Sequence, residues 1–368
     1  MTAARACRPA GGSFSGSYAA EEVTFLLKPV ELRATDIAAK ERLIQSGRRH
    51  YSEMIAPESP PDSAYVALYE KALDRNGARV ARDVAALAAA LVERAAGRRE
   101  IVLLSLARAG TPIGVLLRRA IERLGVAAAH YSVSIIRDRG IDLAALEHVA
   151  ARHDPEDAVF VDGWTGKGAI AAELRRSLAG KPFGFSPWLA VVADPAGRAD
   201  LAATHEDYLI PSGLLNCVVS GLVSRSILNS DLVGPGDFHA CVHYPQYAEH
   251  DLSRAFVRRV DSLAAGLSAP AARPAAARDC RAERCDRSIA GLMKKYGVTD
   301  RNRVKPGIAE ATRAVLRRLP ERLLLLDPTD PDVAHLVHLA GRDGLDVDLL
   351  PAGFCYRAVS LIRNVQAA

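Results

Sequence analysis

The chain lacks long hydrophobic runs and has few cysteines for its length. None of its apolar runs reaches the roughly 18 residues that a helix needs to cross a bilayer, and residues 1–16 lack the basic-then-apolar order of a signal peptide. The sequence therefore predicts a cytoplasmic protein with no membrane segment. Its six cysteines are scattered over 368 residues, which indicates reduced thiols and not a disulfide framework.

The positive charge of the chain is concentrated in one region. The whole chain has a formal net charge of +5, but residues 273–322 alone contain 14 basic and 6 acidic residues, a net of +8. A local excess of this size predicts a polyanionic partner, and RNA is the natural candidate. The alternative is a solvated, arginine-rich linker.

Helical periodicity alternates with apolar runs, as in an α/β sheet. Four strands joined by helices predict a mainly parallel, doubly wound sheet, in which ligands bind beyond the carboxyl ends of the strands. The predicted strands are 101–106, 128–136, 158–162 and 188–193, and the helices are 64–96, 112–124, 143–152 and 169–178. A second, smaller α/β pattern has helices at 307–318, 331–342 and 356–362 and strands at 322–327 and 347–350.

These patterns divide the chain into four parts. We predict an N-terminal extension over 1–60, a main α/β domain over 61–260, an Ala/Arg-rich linker over 261–300 and a small αβα domain over 301–368. The linker is placed there because the Ala/Pro/Arg composition of residues 262–277 cannot build a hydrophobic core.

The clearest motif follows the predicted strand 158–162 and reads Asp-Gly-Trp-Thr-Gly-Lys-Gly from position 162. A glycine-rich turn at a helix N-terminus offers free backbone N–H groups to a phosphate, to which Thr165 adds a hydroxyl and Lys167 a cation. Asp162 is placed to hold ribose hydroxyls or a Mg²⁺ ion bound to the ligand. An ordinary glycine-rich turn is the alternative.

Two other predicted strands also end in distinctive loops. Strand 101–106 runs into Arg108-Ala109-Gly110-Thr111, a small-residue turn suited to a second anionic group. Strand 128–136 runs into a charged loop that contains Arg137 and Arg139. Because the carboxyl ends of parallel strands meet at one edge of a sheet, we expect all three loops to converge on one crevice.

The order of these loops resembles the type I phosphoribosyltransferase fold. The resemblance implies a parallel-sheet domain that binds phosphoribosyl pyrophosphate, or another nucleotide, together with Mg²⁺. It implies catalytic roles for Arg108, Arg137, Arg139 and Asp162, and ligand contacts from Ala109, Gly110, Thr111, Thr165, Gly166, Lys167 and Gly168. The family's second acidic residue is missing here and the loop is shorter, so a non-catalytic nucleotide sensor is the alternative.

The whole chain resembles a more specific bacterial family. Residues 16–18, 23–28, 44–53 and 105–112, together with the Asp162 loop, resemble the phosphoribosyltransferase–Pelota fusion proteins of tellurite-resistance and stress operons. The same family is labelled StiP-type cysteine protease. The resemblance therefore implies a second class of activity, proteolysis by a thiolate, beside phosphoribosyl transfer.

A protease would need a cysteine activated by a nearby base. Cys217, directly after Asn216, and Cys241, between His239 and His243, are the only cysteines with suitable neighbours. Neither lies in a known order of nucleophile, base and orienting residue. The His239-to-His243 segment, with Asp237, is also a weak candidate for metal binding.

The small C-terminal pattern resembles the Pelota-type RNA-binding domain. That domain opens its first helix with a Gly-x-Asn-Glu-x-x-Lys pattern, and the present chain keeps the glycine, the glutamate and a basic residue, with Ala309 in place of the asparagine. The resemblance implies RNA contacts from Lys305, Gly307, Glu310 and Arg313. A simple helix start is the alternative, and an oligomer is left open.

Overall fold

The computed structural model describes residues 14–264, 273–274 and 278–365. The helices are α1 Ile37–Gln45, α2 Ser63–Arg94, α3 Gly110–Arg123, α4 Leu143–Ala150, α5 Ala169–Ser177, α6 Ser253–Ala264, α7 Arg278–Lys295, α8 Ile308–Arg317 and α9 Ala334–Asp343. The strands are β1 Thr24–Leu26, β2 Lys28–Pro29, β3 Glu100–Leu106, β4 Ala127–Val133, β5 Ile135–Ile136, β6 Gly140–Ile141, β7 Ala158–Trp164, β8 Leu189–Ala193, β9 Leu201–Thr204, β10 Ala240–Cys241, β11 Arg273–Pro274, β12 Val304–Pro306, β13 Pro320–Leu325, β14 Val347–Leu349 and β15 Ala358–Ile362. Within these ranges no helix is long and apolar enough to cross a membrane.

The main domain, described residues 14–264, is organised by a parallel sheet, to which the later segment β11 adds one edge strand. The strand order is β1-β4-β3-β7-β8-β9-β11, in which the first six strands are parallel and β11 is antiparallel to β9. Successive side chains of β3 point to opposite faces, so Leu103 packs with α2 and α3 while Leu104 packs with α4 and α5. The predicted α/β fold class with a parallel sheet is confirmed.

The sheet is wider than the four predicted strands. β1 comes from the predicted N-terminal extension and lies beside β4, with Thr24 opposite Tyr131. At the other side, β9 lies next to β8, with Leu201 opposite Ala190. Residues of the extension therefore form part of the main sheet.

The C-terminal unit, described residues 278–365, has a four-stranded sheet in the order β12-β15-β13-β14. The helix predicted at 356–362 is wrong, because Ala358–Ile362 is the strand β15, which pairs with both β12 and β13. All five of its residues are buried. A short, mostly apolar run of this kind fits a buried strand and a buried helical turn equally well, so periodicity alone could not separate the two structures.

A helix lies within the segment predicted as a linker. Residues 278–295 form α7, whose Cys285, Ile289 and Leu292 are buried against Tyr356 and Val359. The second half of the predicted linker thus contributes to the core of the C-terminal unit. Most of the Ala/Pro/Arg-rich stretch on which the prediction rested lies outside the described residues.

Candidate functional site

A cavity of about 660 Å³ lies where three parts of the chain meet. These are the N-terminal segment, defined as residues 36–58, the loop after β7, and the strand β12 with helix α8 of the C-terminal unit. Ten residues predicted for binding or catalysis line it: Arg137, Arg139, Asp162, Thr165, Gly166, Lys167, Gly168, Lys305, Glu310 and Arg313. The structure therefore brings the second and third predicted loops together, along with part of the predicted RNA-binding face.

The loop after β7 is packed against the C-terminal unit. Lys167 Nζ donates to the carbonyl oxygens of Arg301 and Val304, the latter at 3.1 Å. A Cβ atom on Gly166 would lie 2.9 Å from Glu310 Cγ, so any larger residue would displace the Glu310 side chain. The Thr165 hydroxyl donates to the carboxylate of Asp194. In this arrangement the hydroxyl and the ammonium group of the motif both have partners within the protein.

Burial shifts the pKa of ionisable groups around the cavity. Burial raises the pKa of Asp162 to about 7, against the opposing effect of the Arg313 guanidinium. Burial and the neighbouring Lys305 and Arg137 lower the pKa of Lys167 to about 6. The cavity wall thus disfavours charge on both residues.

The residues around Asp162 do not fit a Mg²⁺ ion. Mg²⁺ is held by oxygen ligands, usually carboxylates, but the described part of the chain contains no group of three His, Cys, Asp or Glu residues placed to hold a metal. The Asp162 carboxylate accepts the N–H of Gly163 at 2.8 Å, and Arg313 exerts the strongest charge effect on it. A cationic neighbour such as Arg313 favours the binding of an anion near Asp162 and disfavours the binding of a metal cation.

The first predicted loop does not reach the large cavity. Arg108 is 4% exposed, and its guanidinium donates to Glu58 Oε1 at 2.8 Å and to the Val223 carbonyl at 2.6 Å. Thr111 is fully buried and shares a hydrogen bond with Ser132 at 2.8 Å. Arg108 and Ala109 line a second, much smaller space of about 10 Å³. The first loop therefore packs against the Asp162 loop at Gly110, where a Cβ atom would lie 3.2 Å from Asp162 Cα, but its residues Arg108 to Thr111 do not line the large cavity.

The predicted RNA-binding residues lie against the main domain. The Arg313 guanidinium stacks 4.8 Å above the ring centre of Trp164 and donates to Glu310 at 3.1 Å. Gly307 has a φ of +95°, and the next residue, Ile308, donates its N–H to the Asp207 carboxylate at 3.1 Å. The face of α8 that carries these residues is covered in the described arrangement.

A second charged cluster surrounds a cysteine. The backbone N–H of Cys217 donates to Glu58 Oε2 at 3.2 Å, and its Sγ lies 3.7 Å from Asn216 Oδ1. Burial opposes ionisation of Glu58, but the Arg108 guanidinium holds the pKa of that carboxyl below its usual range. Burial and the Glu58 carboxylate raise the pKa of the Cys217 thiol to about 12. The cluster therefore contains a protonated thiol, a carboxylate and a guanidinium.

Cys241, the other cysteine with candidate neighbours in the sequence, has plainer surroundings. Cys241 is fully buried, and burial alone raises the pKa of its thiol. Its neighbour in sequence His239 shares a hydrogen bond with Ser134 at 2.7 Å, whereas His243 packs edge-on against Phe14. Because Asp237 forms a salt bridge with Lys28 at 2.7 Å, this segment offers no metal site within the described residues.

The C-terminal unit covers the chain just before Cys217. A Cβ atom on Gly213 would lie 3.4 Å from the Cβ of Ala309 in α8 and 3.7 Å from the Trp164 ring. The short 3-10 helices Pro211–Leu214 and Cys217–Val219 are separated by only two residues. Cys217 itself has no exposed surface. Helix α8 therefore packs on the segment that leads to the buried thiol.

Sequence reasoning missed Glu58. It lies in the proline-rich break between α1 and α2, 50 positions before Arg108 and 159 positions before Cys217. No local pattern relates residues so far apart, so only the folded chain places this carboxylate between the guanidinium and the thiol.

Comparison with known proteins gives two family matches and one close relative. Residues 16–261 match the family described as "Tellurite-like stress resistance cysteine protease StiP", and residues 283–364 match the family described as "PELOTA RNA binding domain". A protein of Acinetobacter baylyi named "Cysteine protease StiP" is 44% identical over 370 residues, covering 96% of this chain and 95% of that protein.

One solved structure shows a much weaker likeness. It is a mutant hypoxanthine phosphoribosyltransferase from Trypanosoma cruzi with its product IMP, 14% identical over 49% of this chain and 88% of that one, with a TM-score of 0.28. A TM-score this low carries no argument about fold or activity.

The prediction of a phosphoribosyltransferase is wrong. The family match over residues 16–261 and the relative of 44% identity both carry the description of a cysteine protease. Arg108, which that prediction assigned to the leaving pyrophosphate, is instead buried in a pair with Glu58 and does not line the cavity that the Asp162 loop lines. The resemblance to the tellurite-resistance family and to the Pelota domain is confirmed.

Proposed function

The chain belongs to the family of tellurite-like stress resistance cysteine proteases described as StiP, and on that premise we propose that it is a cysteine protease with Cys217 as its nucleophile. One observation carries the choice of residue. Among the described cysteines, Cys217 is the one that shares a hydrogen-bonded carboxylate with a buried guanidinium, through Glu58 and Arg108. Cys241 has no charged group among the causes that shift its pKa.

The cluster supplies groups for peptide-bond hydrolysis. In the proposed reaction Cys217 Sγ attacks the carbonyl carbon of the scissile amide while its proton passes to the Glu58 carboxylate. The Arg108 guanidinium stabilises the oxyanion that forms. The C–N bond then breaks, and the amine leaves with the proton from Glu58. Water hydrolyses the resulting thioester, which releases the acid and restores the thiol.

The described arrangement corresponds to a resting state of this protease. A thiol whose pKa is about 12 carries almost no thiolate at neutral pH, and Cys217 has no exposed surface to meet a substrate. Because α8 packs on the segment before Cys217 at Gly213, we propose that movement of the C-terminal unit uncovers the thiol. Proteolysis then requires that the C-terminal unit separate from the main domain, a movement that we call undocking.

Hydrolysis of an unfolded protein substrate by matched variants tests this function. Full-length protein is incubated with denatured casein, and new amino groups are counted over time for wild type, Cys217→Ser and Cys241→Ser. We expect Cys217→Ser to lose hydrolysis and Cys241→Ser, a buried cysteine without charged neighbours, to keep it. Equal rates in wild type and Cys217→Ser would reject the assignment, and loss only in Cys241→Ser would move the nucleophile there.

We propose in addition that residues 283–364 bind RNA, as the description of the matching domain suggests. The predicted contacts Lys305, Gly307, Glu310 and Arg313 support this only in an undocked state, since Trp164 and Asp207 contact their face here. RNA affinity should fall steeply with salt and weaken in Arg313→Glu. An affinity unchanged by that substitution would exclude this face. The cytoplasmic location stays part of the proposal.

A further inference from the structure

Two cysteines of the C-terminal unit lie close together in its core. Cys285 belongs to the buried apolar cluster of this unit, and Cys355, in the loop before β15, packs against that cluster. Ser288 follows Cys285 by almost one turn of α7 and therefore lies on the same face of the helix. Its Oγ is 3.6 Å from Cys355 Sγ. Cys355 therefore lies over the face of α7 that carries Cys285.

The pKa of the Cys285 thiol reflects the same contact. Burial and a side-chain hydrogen bond with Cys355 raise this pKa to about 12. The residue after Cys355, Tyr356, is buried, and burial and Cys285 raise the pKa of its hydroxyl. Cys285 is therefore a neutral thiol at physiological pH, and Cys355 is within reach of it.

The two thiols differ in exposure. Cys285 is 1% exposed, whereas Cys355 is partly exposed. A small oxidant in solution therefore meets Cys355 first. Cys280 is exposed as well, but it precedes Cys285 by five positions on α7, and five positions place two side chains about 140° apart around a helix. Cys280 therefore lies on a different face of α7.

Cys285 also contacts the main domain. Its Sγ donates to the carbonyl oxygen of Pro195 at 3.3 Å, and Pro195 is a buried residue that follows β8. Tyr356, beside Cys355, donates its hydroxyl to the Gly166 carbonyl at 3.4 Å. The cysteine pair thus lies where the C-terminal unit contacts the main domain.

We propose that Cys285 and Cys355 are a site of disulfide formation by peroxide, and that the disulfide weakens the contact between the C-terminal unit and the main domain. The Cys355 sulfur attacks one oxygen of hydrogen peroxide, whose O–O bond breaks, and the thiol becomes a sulfenic acid while one water is released. The Cys285 sulfur then attacks the sulfenic sulfur. The S–O bond breaks, and the hydroxyl group leaves with the Cys285 proton as a second water. The two thiols together lose two electrons, and the peroxide accepts them.

The disulfide removes a hydrogen-bond donor from the contact. A disulfide sulfur carries no hydrogen, so oxidised Cys285 cannot donate to the Pro195 carbonyl. That carbonyl belongs to a buried residue, and a buried acceptor that loses its donor is unfavourable. The penalty applies only while the C-terminal unit covers Pro195, because water reaches the carbonyl after separation. Oxidation therefore favours separation of the C-terminal unit from the main domain.

Formation of this disulfide does not depend on proteolysis or on RNA binding. Neither cysteine is the proposed nucleophile, Cys217, or a predicted RNA contact, and the chemical step needs only the two thiols and peroxide. Its measurement uses neither a protein substrate nor RNA. Failure of the proposed function would leave the disulfide and its effect on the contact unchanged.

Peroxide treatment of the full-length chain, followed by alkylation of free thiols and tryptic mapping without reductant, locates the disulfide. Trypsin releases Cys280 and Cys285 in residues 279–281 and 285–287, two tripeptides of identical composition. Cys280→Ser is therefore the parent protein, because it leaves a thiol in only one of the two. Cys285→Ser and Cys355→Ser, each added to this parent, are the matched controls.

We expect peroxide to link residues 285–287 to residues 343–357 in the parent protein, and a thiol reductant to reverse the link. Neither control should form it. Cys285→Ser retains a hydroxyl donor for the Pro195 carbonyl, so this control should also keep the contact with the main domain.

Hydrogen–deuterium exchange measures the contact itself. The backbone amides of α8, which packs on the main domain at Gly213, should exchange about fivefold faster in the oxidised than in the reduced parent, the factor expected for one buried hydrogen bond. Peroxide should leave the exchange of Cys355→Ser unchanged. Oxidation of Cys355 without a disulfide, a disulfide to another cysteine, or equal exchange in both forms of the parent would overturn the proposal.

Discussion

Cys217 donates its backbone N–H to the Glu58 carboxylate at 3.2 Å, although 159 positions separate the two residues in the chain. The other oxygen of that carboxylate accepts from Arg108 at 2.8 Å. One carboxylate thus joins the proline-rich break before α2, the turn after β3 and the segment after Leu214. The Glu58 side chain, the proposed base, therefore contacts both the residue that carries the proposed nucleophile, Cys217, and the proposed oxyanion contact, Arg108.

Removing the charge of Glu58 should destabilise the protein strongly. The pair with Arg108 is almost fully buried, with side chains 8% and 3% exposed. Glu58→Gln leaves the guanidinium without a counter-charge, and breaking such a pair costs about 3–5 kcal/mol. The free energy of unfolding in urea measures this loss.

Glu53→Gln is the matched control for that experiment. Glu53 pairs with Arg139 at 3.2 Å, but the arginine side chain is 47% exposed. A surface pair contributes about 0–1 kcal/mol, so this variant should unfold close to wild type. Equal stabilities for the two variants would contradict the buried Glu58–Arg108 pair.

Asp162 should make stability depend on pH. Its pKa is raised to about 7 in the folded protein, whereas an unfolded aspartate titrates near about 4. The folded state therefore binds the proton more tightly, and this contribution is complete below about pH 4 and lost as the pH rises to about 7. Relative to wild type, Asp162→Asn should become more stable over that window and differ by a constant amount above it.

Urea unfolding of both proteins at several pH values checks this difference. The Asn side chain can keep the hydrogen bond that Gly163 donates to Oδ1, so the comparison isolates the ionisation. A difference between the two proteins that stays flat from about pH 4 to pH 8 would contradict a raised pKa.

The close packing of α3 on β7 should make Gly110 irreplaceable by alanine. A Cβ atom at this position would lie 2.4 Å from the Val161 carbonyl oxygen, inside a buried contact. Overpacking of this kind costs about 1–3 kcal/mol, more than the helix propensity gained. Gly180→Ala meets nothing within 4 Å and should leave the melting temperature unchanged or slightly higher. Similar melting temperatures for the two variants would contradict the packing.

Weakening the contact between Trp164 of the main domain and helix α8 of the C-terminal unit should raise both RNA binding and proteolysis. Trp164 stacks on Arg313 and bonds to Glu310 at 3.5 Å, so Trp164→Ala removes a contact that covers the predicted RNA-binding face. We expect tighter RNA binding in filter assays and faster casein hydrolysis than in wild type. Weaker RNA binding together with slower hydrolysis would indicate that docking supports function.

The strands that sequence predicted well are the buried ones. β3, β7 and β8 each contain a continuous apolar run of four or five residues, at 101–104, 158–161 and 189–193, and a strand covered on both faces requires such a run. β15 has the same apolar character but was predicted as a helix. The pairing with β12 and β13 that decides its conformation involves residues far from it in sequence.

The site was predictable only in part. The Asp162 loop and the Arg137 loop follow strands, so topology places both near the same edge, and the structure brings both to the large cavity. Arg108 follows a neighbouring strand but turns towards Glu58. A loop motif reports a local conformation, whereas the partner that neutralises its charge depends on the whole fold.

Covalent labelling of the full-length chain by a peptide chloromethyl ketone, with each adduct located by peptide mapping and residual casein hydrolysis measured in parallel, tests whether Cys217 is the nucleophile. We expect an adduct on Cys217 to form in step with the loss of hydrolysis and to be absent from Cys217→Ser, whereas labelling of the exposed Cys280 should leave hydrolysis unchanged. Hydrolysis that continues after Cys217 is fully labelled, or activity lost through an adduct on Cys241 or Cys280 alone, would contradict it.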